Sequence, residues 1–329
     1  MPHFERAFLL VLAGLLVGHA LFFHYVVDDA FISYRYAENY ANGHGLVYNV
    51  GDRVEGYTNF LWTVALALAA GLGQDPILWS RLLGLAAGVA VLFLSYAAVR
   101  RRCHDHPAAI LVPVALAANG AFALWCAAGL ETSAFTFFVT AGLLAGSSHK
   151  PRAPIWGASF LGIASVTRPE GALFFAFVWL HAVFTRRHSM RTLGGSLALF
   201  AALVLPLYFW RYGYYGEWLP NTWFAKSGGG VDAIFRGLRY LGTYFGPFGG
   251  WTSAALVPLV FLVRLRHWER TLLAATAAWL VYVVSVGGDS LAFYRFLVPV
   301  IPAITILALS GVAKLFPAIG GARVSPSRM

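Results

Sequence analysis

The sequence predicts an all-α polytopic membrane protein, a helical bundle with about ten transmembrane crossings and amphipathic helices lying along one face. Three observations predict it. Of the 329 residues, 59% are hydrophobic and only 12% are charged, and the mean hydropathy of +0.67 lies outside the range of soluble domains. The apolar residues fall in blocks of helix length, separated by short charged or Gly/Pro-containing breaks. Nowhere do they alternate with period two, as barrel strands would.

In chain order, the first block, 7–27, has no small-residue cleavage site and runs straight into Asp28 and Asp29, so it is read as an uncleaved span. The next spans are 80–99, 107–127 and 132–146, followed by two short arms, 154–166 and 171–184, around the Thr167–Gly171 turn. Then come 193–210, 250–263, 271–286 and 296–313. Segment 57–73 is ambiguous. If it crosses, Arg100 to Arg102, Lys150, Arg152, Arg186, Arg187, Arg191, Arg264, Arg266 and Arg270 all lie outside, against the positive-inside bias; if it lies in the interface or re-enters, all lie inside. The second threading also gathers Asp28, Asp29, Glu38, Asp52, Glu55, Asp75, Glu131, Glu170, Glu217, Asp232 and Asp289 on the outer face, with both termini cytoplasmic. It is the threading adopted.

Two outer segments are amphipathic. Arg35, Glu38, Asn39 and Asn42 make a polar stripe opposite Tyr34, Ala37 and Ala41, with Asp28 and Asp29 expected to cap this helix and Gly43-His44-Gly45 to end it. The second, 232–245, sets Ile234, Leu238, Leu241 and Phe245 against Arg236 and Arg239. The net charge of +10 expresses topology and not nucleic-acid binding. Cys103 and Cys126 fall at opposite ends of one predicted span, too far apart for a disulfide, and the histidines have no metal spacing. There is no internal repeat or soluble domain; the single transmembrane domain, 1–329, carries outer loops 28–79 and 211–249.

Carboxylates and cations recur together where spans end on the outer face. Transfer from a lipid-phosphate donor needs both: a base for the acceptor hydroxyl and fixed positive charge for the departing phosphate. The bland readings are that Arg211 and Arg236 snorkel, Arg168 pairs with Glu170 to hold a hairpin, Glu131 complements a helix dipole and Asp289 caps a turn. One of Asp28 and Asp29 caps and the other reacts. Hard oxygen ligands at Asp28, Asp29 and a further outer carboxylate could hold a divalent cation, magnesium or manganese.

These residues bring a family into view. The run from Asp28-Asp29 through Arg35, Asn39, Gly43, Gly45, Asn49, Gly51, Arg53 and Glu55 to Thr58 resembles the first outer loop of GT-C glycosyltransferases, especially the terminal arabinofuranosyltransferases of mycobacterial cell walls. Gly129-Leu-Glu131-Thr, Thr167-Arg-Pro-Glu-Gly171, Leu219-Pro-Asn-Thr222 with Lys226, and Gly287-Gly-Asp289 with Tyr294-Arg295-Phe are similar to motifs of the wider bacterial family. The resemblance implies a GT-C-like bundle in the bacterial cytoplasmic membrane. It also implies an inverting transferase that takes sugar from a polyprenyl-phosphate on the outer face and delivers it to a glycan or lipid acceptor. It assigns Asp28 as general base, Asp29 as its helper, and Arg168, Lys226 and Arg295 to the donor phosphate. Arg35, Glu55, Tyr57, Asn59, Glu131, Glu170, Asn221, Asp289 and Tyr294 would line the cavity. Members often carry further spans and a C-terminal extracytoplasmic domain, which this chain does not show, so the expectation is a minimal enzyme, a fragment, or one half of a partnership with another protein. The rival classes are a flippase or transporter, whose inverted repeats are not seen, and an accessory subunit binding lipid-linked sugar.

Overall fold

The computed structural model of the chain describes residues 3–103, 106–221, 230–245 and 263–316. In these residues the regular structure is helical throughout, and the helices run between two chemically different ends. Helix α1 (His3–Phe22) leads to the acid-bearing end, where α2 (Asp28–Ala41) and α3 (Phe60–Gly71) lie, and α4 (Pro76–Arg102) returns. A 3-10 turn at Pro107–Ile110, α5 (Leu111–Ala118) and α6 (Gly120–Ala127) climb back; α7 (Thr132–Gly146), α8 (Ala153–Thr167), α9 (Gly171–Thr185) and α10 (Met190–Tyr215) follow. The rest is α11 (Val231–Phe245), α12 (His267–Ser285), a 3-10 stretch at Arg295–Val300 and α13 (Ile301–Leu315). Helices α1, α4, α10 and the unit Arg295–Leu315 are each long and apolar enough to cross a bilayer, while α7, α8 and α9 are shorter apolar helices. The predicted span 250–263 lies outside the described residues, apart from Val263.

Helix α3 is shorter than the helices long enough to span a bilayer. Its 12 residues rise about 18 Å, well short of the ~30 Å of hydrocarbon. Both its ends are held at the acid-bearing end. Asn59, just before it, bonds Ser33 of α2, and shortly after it the Ser80 hydroxyl of α4 meets the Tyr34 hydroxyl of α2 at 2.7 Å.

Two sequence expectations are corrected. The block 107–127 is not one straight span: α5 and α6 meet at 61°. Asn119 makes the break by taking an extended conformation, capping α6 through Oδ1 on the Phe122 N–H (2.9 Å) and donating Nδ2 to the Tyr244 hydroxyl (3.1 Å). Nor do Asp28 and Asp29 cap α2. The N-cap is Val27, whose own N–H is held by the Ala128 carbonyl, so the two acids occupy the first helical turn, where the dipole still favours their charge.

Small residues set the helix spacing, as they must where lipid removes the usual hydrophobic drive for helix association. Gly84 and Gly88 of α4 lie directly on Cys126 of α6, and Gly146 of α7 meets Gly157 of α8 backbone to backbone. A side chain at Gly88 would run into the Cys126 sulfur, whereas Gly14 on α1 has open space around it. Gly88→Leu is therefore expected to cost about 1–3 kcal/mol by overpacking. Its unfolding midpoint in detergent should drop clearly, with Gly14→Leu leaving the midpoint near that of the parent chain.

Candidate active site

The acidic pair stands at the junction of α1 and α2. Asp28 is exposed and Asp29 half-buried, and the only hydrogen bond to either side chain among the described residues is from the Asp29 N–H to Asp28 Oδ1 at 3.0 Å. Tyr25 lies close enough to feel both: burial first, then Asp28 and Asp29, holds its phenol above the usual pKa. The Tyr25 ring meets that of Phe293 edge-on, at 5.7 Å between centroids, so the pair borders the loop before Arg295.

Behind it lies a buried chain of polar groups. Ser33 and Asn59 bond one another; Asn59 Nδ2 donates to Glu131 Oε2 at 2.7 Å; Glu131 Oε1 accepts from Arg168 Nη1 at 2.9 Å; and Arg168 Nη2 reaches Glu170 Oε1 at 3.0 Å. The local backbone builds this. Arg168 leaves the end of α8 extended, as the residue before Pro169 should, and Gly171 starts α9 so tightly against Ala164 and Ser165 that a Cβ there would collide with their backbone. Burial alone would lower the Arg168 pKa, but Glu170 and Glu131 more than reverse this and raise it. Burial likewise pushes the Glu170 carboxyl up, and Arg168 overrides that, leaving it below the usual carboxylate value.

The second ion pair is Asp289–Arg295, a two-bond fork with Nε to Oδ2 at 2.7 Å and Nη2 to Oδ1 at 3.2 Å. Gly287 and Gly288 turn the chain at positive φ, and Phe293 and Tyr294 hold left-handed conformations that side-chain-bearing residues seldom adopt. Trp125 Nε1 pins this turn by donating to the Phe293 carbonyl at 2.8 Å, and Tyr294 packs on Tyr240 and Tyr244 of α11. The guanidinium groups of Arg168 and Arg295 each lie 5.4 Å from the Phe296 ring centre, so one ring joins the two ion-pair clusters.

Glu55, Tyr57 and Asn221 are brought together elsewhere. Glu55 is buried against Arg211 of α10, with Nε 2.6 Å from Oε2, a close ionic contact not aligned as a hydrogen bond. The Glu55 carbonyl accepts from the Asn221 N–H, and the Tyr57 and Tyr215 hydroxyls lie 3.2 Å apart. Burial raises the Glu55 pKa and Arg211 partly offsets it. This cluster ties the first outer loop to the end of α10. Arg35 is exposed and donates weakly to the Tyr48 carbonyl at 3.4 Å, apart from both clusters. Lys226 and Thr222 lie outside the described residues. Among the described residues no group of three His, Cys, Asp or Glu side chains could hold a metal ion. A cavity of about 320 Å³ lined by Phe4, Phe8, Tyr96 and Ile110 lies at the opposite end of the bundle, remote from these residues.

Sequence reasoning missed Ser33, which touches the site through one hydroxyl, and undervalued Arg211. Arg211 is only 1% exposed. Its signal was an arginine on the last turn of a span with an unpaired acid in the preceding outer loop; no sequence spacing joins residues 156 apart (211 minus 55).

Arg168→Met would leave the buried Glu131 and the half-buried Glu170 without their cation, at about 3–5 kcal/mol. A large fall in the unfolding midpoint is expected, against little change for Arg35→Met. Because the Glu170 pKa is lowered in the folded chain, its stabilisation is fully present above the ordinary value of 4.5 and is lost as pH falls through the lower folded value. Acid titration of the midpoint should therefore show a decline below about pH 4.5 that Glu170→Gln makes shallower.

No family model matches the chain. Two proteins named terminal β-(1→2)-arabinofuranosyltransferase are similar to it. The one from Corynebacterium glutamicum is 28% identical over 330 residues, covering 84% of this chain and 46% of the relative. The one from Mycobacterium tuberculosis is 31% identical over 265 residues, covering 73% and 40%. The chain thus spans less than half the length of these relatives. Among solved structures, ArnT from Cupriavidus metallidurans, bound to undecaprenyl phosphate or in the apo state, superposes with a TM-score of 0.68 in each case. The match covers 98% of this chain and 60% of ArnT, at 20% identity. The chain has the GT-C fold seen in ArnT and resembles, in sequence, the terminal arabinofuranosyltransferases.

Proposed function

We propose that the acid-bearing end is the active site of a membrane glycosyltransferase that takes a sugar from a polyprenyl-phosphate donor, with inversion, and delivers it to an extracytoplasmic glycan or lipid. One observation carries the reading. Glu55, Glu131, Glu170 and Asp289 are each committed to an arginine, whereas Asp28 and Asp29 have no cationic partner among the described residues. A general base must be accessible and must not be neutralised by a fixed cation, and Asp28 meets both conditions. The likeness to named arabinofuranosyltransferases and to ArnT supports the reaction class.

In this reaction the Asp28 carboxylate takes the proton of the acceptor hydroxyl. The freed oxygen bonds to the anomeric carbon from the face opposite the phosphate, and the carbon–phosphate-oxygen bond breaks, its electron pair leaving on the polyprenyl phosphate. Asp29 orients the base or the incoming sugar. Arg295 spends Nε and Nη2 on Asp289 and keeps both Nη1 protons for phosphate oxygens; Arg168 keeps one proton on each terminal nitrogen. Lys226 is assigned to the same phosphate. A magnesium or manganese ion, if used, would be held by Asp29 with oxygens of the donor, leaving the Asp28 carboxylate free to act as base. The acid-bearing end faces outward, the arginine-rich end and both termini the cytoplasm. A protein partner completing the acceptor site is part of the same proposal.

The test is transfer from a panel of radiolabelled polyprenyl-phosphate sugars in membranes carrying the parent chain or Asp28→Asn, with and without chelator. Asp28→Asn should lose about 10²–10⁴-fold of the rate. Undiminished transfer by the mutant would remove Asp28 from the chemistry, and loss of transfer on chelation would establish the cation.

A further inference from the structure

At the arginine-rich end, three imidazoles from three different elements are stacked together. His267, the first residue of α12, lies between His149 of the α7–α8 turn and His181 of α9, at 5.2 and 4.9 Å between ring centroids. His267 is only 9% exposed. Arg187 bonds His149 through Nη1 at 3.1 Å, and Arg187 and Arg270 both act electrostatically on His181 and His267. His188, beside them, is held below the usual imidazole pKa by burial first and then by His149 and Arg187.

The acid on these elements is turned away. Glu269 accepts from the Arg266 N–H at 2.6 Å and pairs with Lys314, while Arg266 points to the Arg102 carbonyl. Among the described residues, two guanidinium groups and four imidazoles thus converge with no carboxylate among them. The positive end of the α12 dipole adds to the same field. His181 Nε2 is buried without a hydrogen-bond partner. A buried ring nitrogen left unsatisfied in a field of one sign is what a site for an anion looks like when empty of it. Among the described residues no group of three His, Cys, Asp or Glu side chains, these imidazoles included, could hold a metal ion.

We propose that this cluster binds a phosphate-bearing anion, either the headgroup of an acidic membrane lipid or free phosphate. A tetrahedral phosphate offers separate oxygens to Arg187, His181 and His267. The cluster lies where α9 ends and α12 begins, at the end of the bundle where the long apolar helix α4 stops and α10 starts, the level at which a lipid headgroup would meet it. Bound anion favours protonated imidazole, so the complex carries more protons than the free protein and affinity rises as pH falls.

The experiment uses the purified full chain in detergent and measures retention of phosphatidylglycerol against phosphatidylcholine by native mass spectrometry, with thermal protection by inorganic phosphate as the second arm. The parent chain should retain one phosphate-bearing ligand and hold phosphatidylglycerol, whose phosphodiester keeps its charge, more tightly at about pH 6 than at about pH 8, and Arg187→Gln should weaken retention roughly tenfold. Arg187 is exposed, so its loss does not threaten the fold; His267→Gln should act in the same direction, and Arg101→Gln, at the same end but outside the cluster, should not. Preference for phosphatidylglycerol identifies a lipid site, and protection by phosphate alone a soluble one. Equal affinity in Arg187→Gln, an equal loss in Arg101→Gln, or binding of neither ligand overturns the proposal.

Discussion

The acid-bearing end depends on one arginine side chain taken out of water between two carboxylates. Arg168 is 6% exposed, and the price of stripping its hydration is offset only because Glu131 and Glu170 lie at hydrogen-bond distance on either side. Glu131 in turn fixes Asn59, Asn59 fixes Ser33, and so the start of α3 and the middle of α2 are placed by a charge that belongs to the α8–α9 turn. The acidic pair at the start of α2 inherits its position from that chain of bonds.

Charge distribution separates the two ends. Arginines and histidines gather where α4 and α9 end and α10 and α12 begin, and the acids there among the described residues, Glu5 and Glu269, are paired with Arg100 and Lys314. At the other end the paired acids are balanced by arginines inside the fold, and those without such partners lie towards its surface. Both arrangements satisfy the same rule, that a charge near the bilayer is paired, solvated or in use.

Much of this was legible in the sequence, for identifiable reasons. Apolar block length and flanking charge gave α4, α7, α8, α9, α10 and α12 to within a few residues, because helix length in a membrane is set by thickness. The amphipathic stripes gave α2 and α11. The break at Asn119 was not legible, since an Asn-Gly pair inside an apolar run reads as a tolerated blemish until its side chain is seen capping one helix and bonding Tyr244. The pairing of Glu55 with Arg211 was hidden for another reason: it is a contact between distant segments, and only the fold brings them together. Asp28 and Asp29 were noticed by placement, while their position inside the first turn, one residue beyond the cap, needed the backbone.

The ring of Phe296, shared by Arg168 and Arg295, has a consequence for both ion pairs. Two cations that face one ring cannot be displaced independently: drawing Arg295 off Asp289 towards an incoming anion changes the surroundings of Phe296 and hence of Arg168, whose carboxylates anchor α2. A change at either ion pair is thus felt at the other through the packing of one ring, with no moving segment between them.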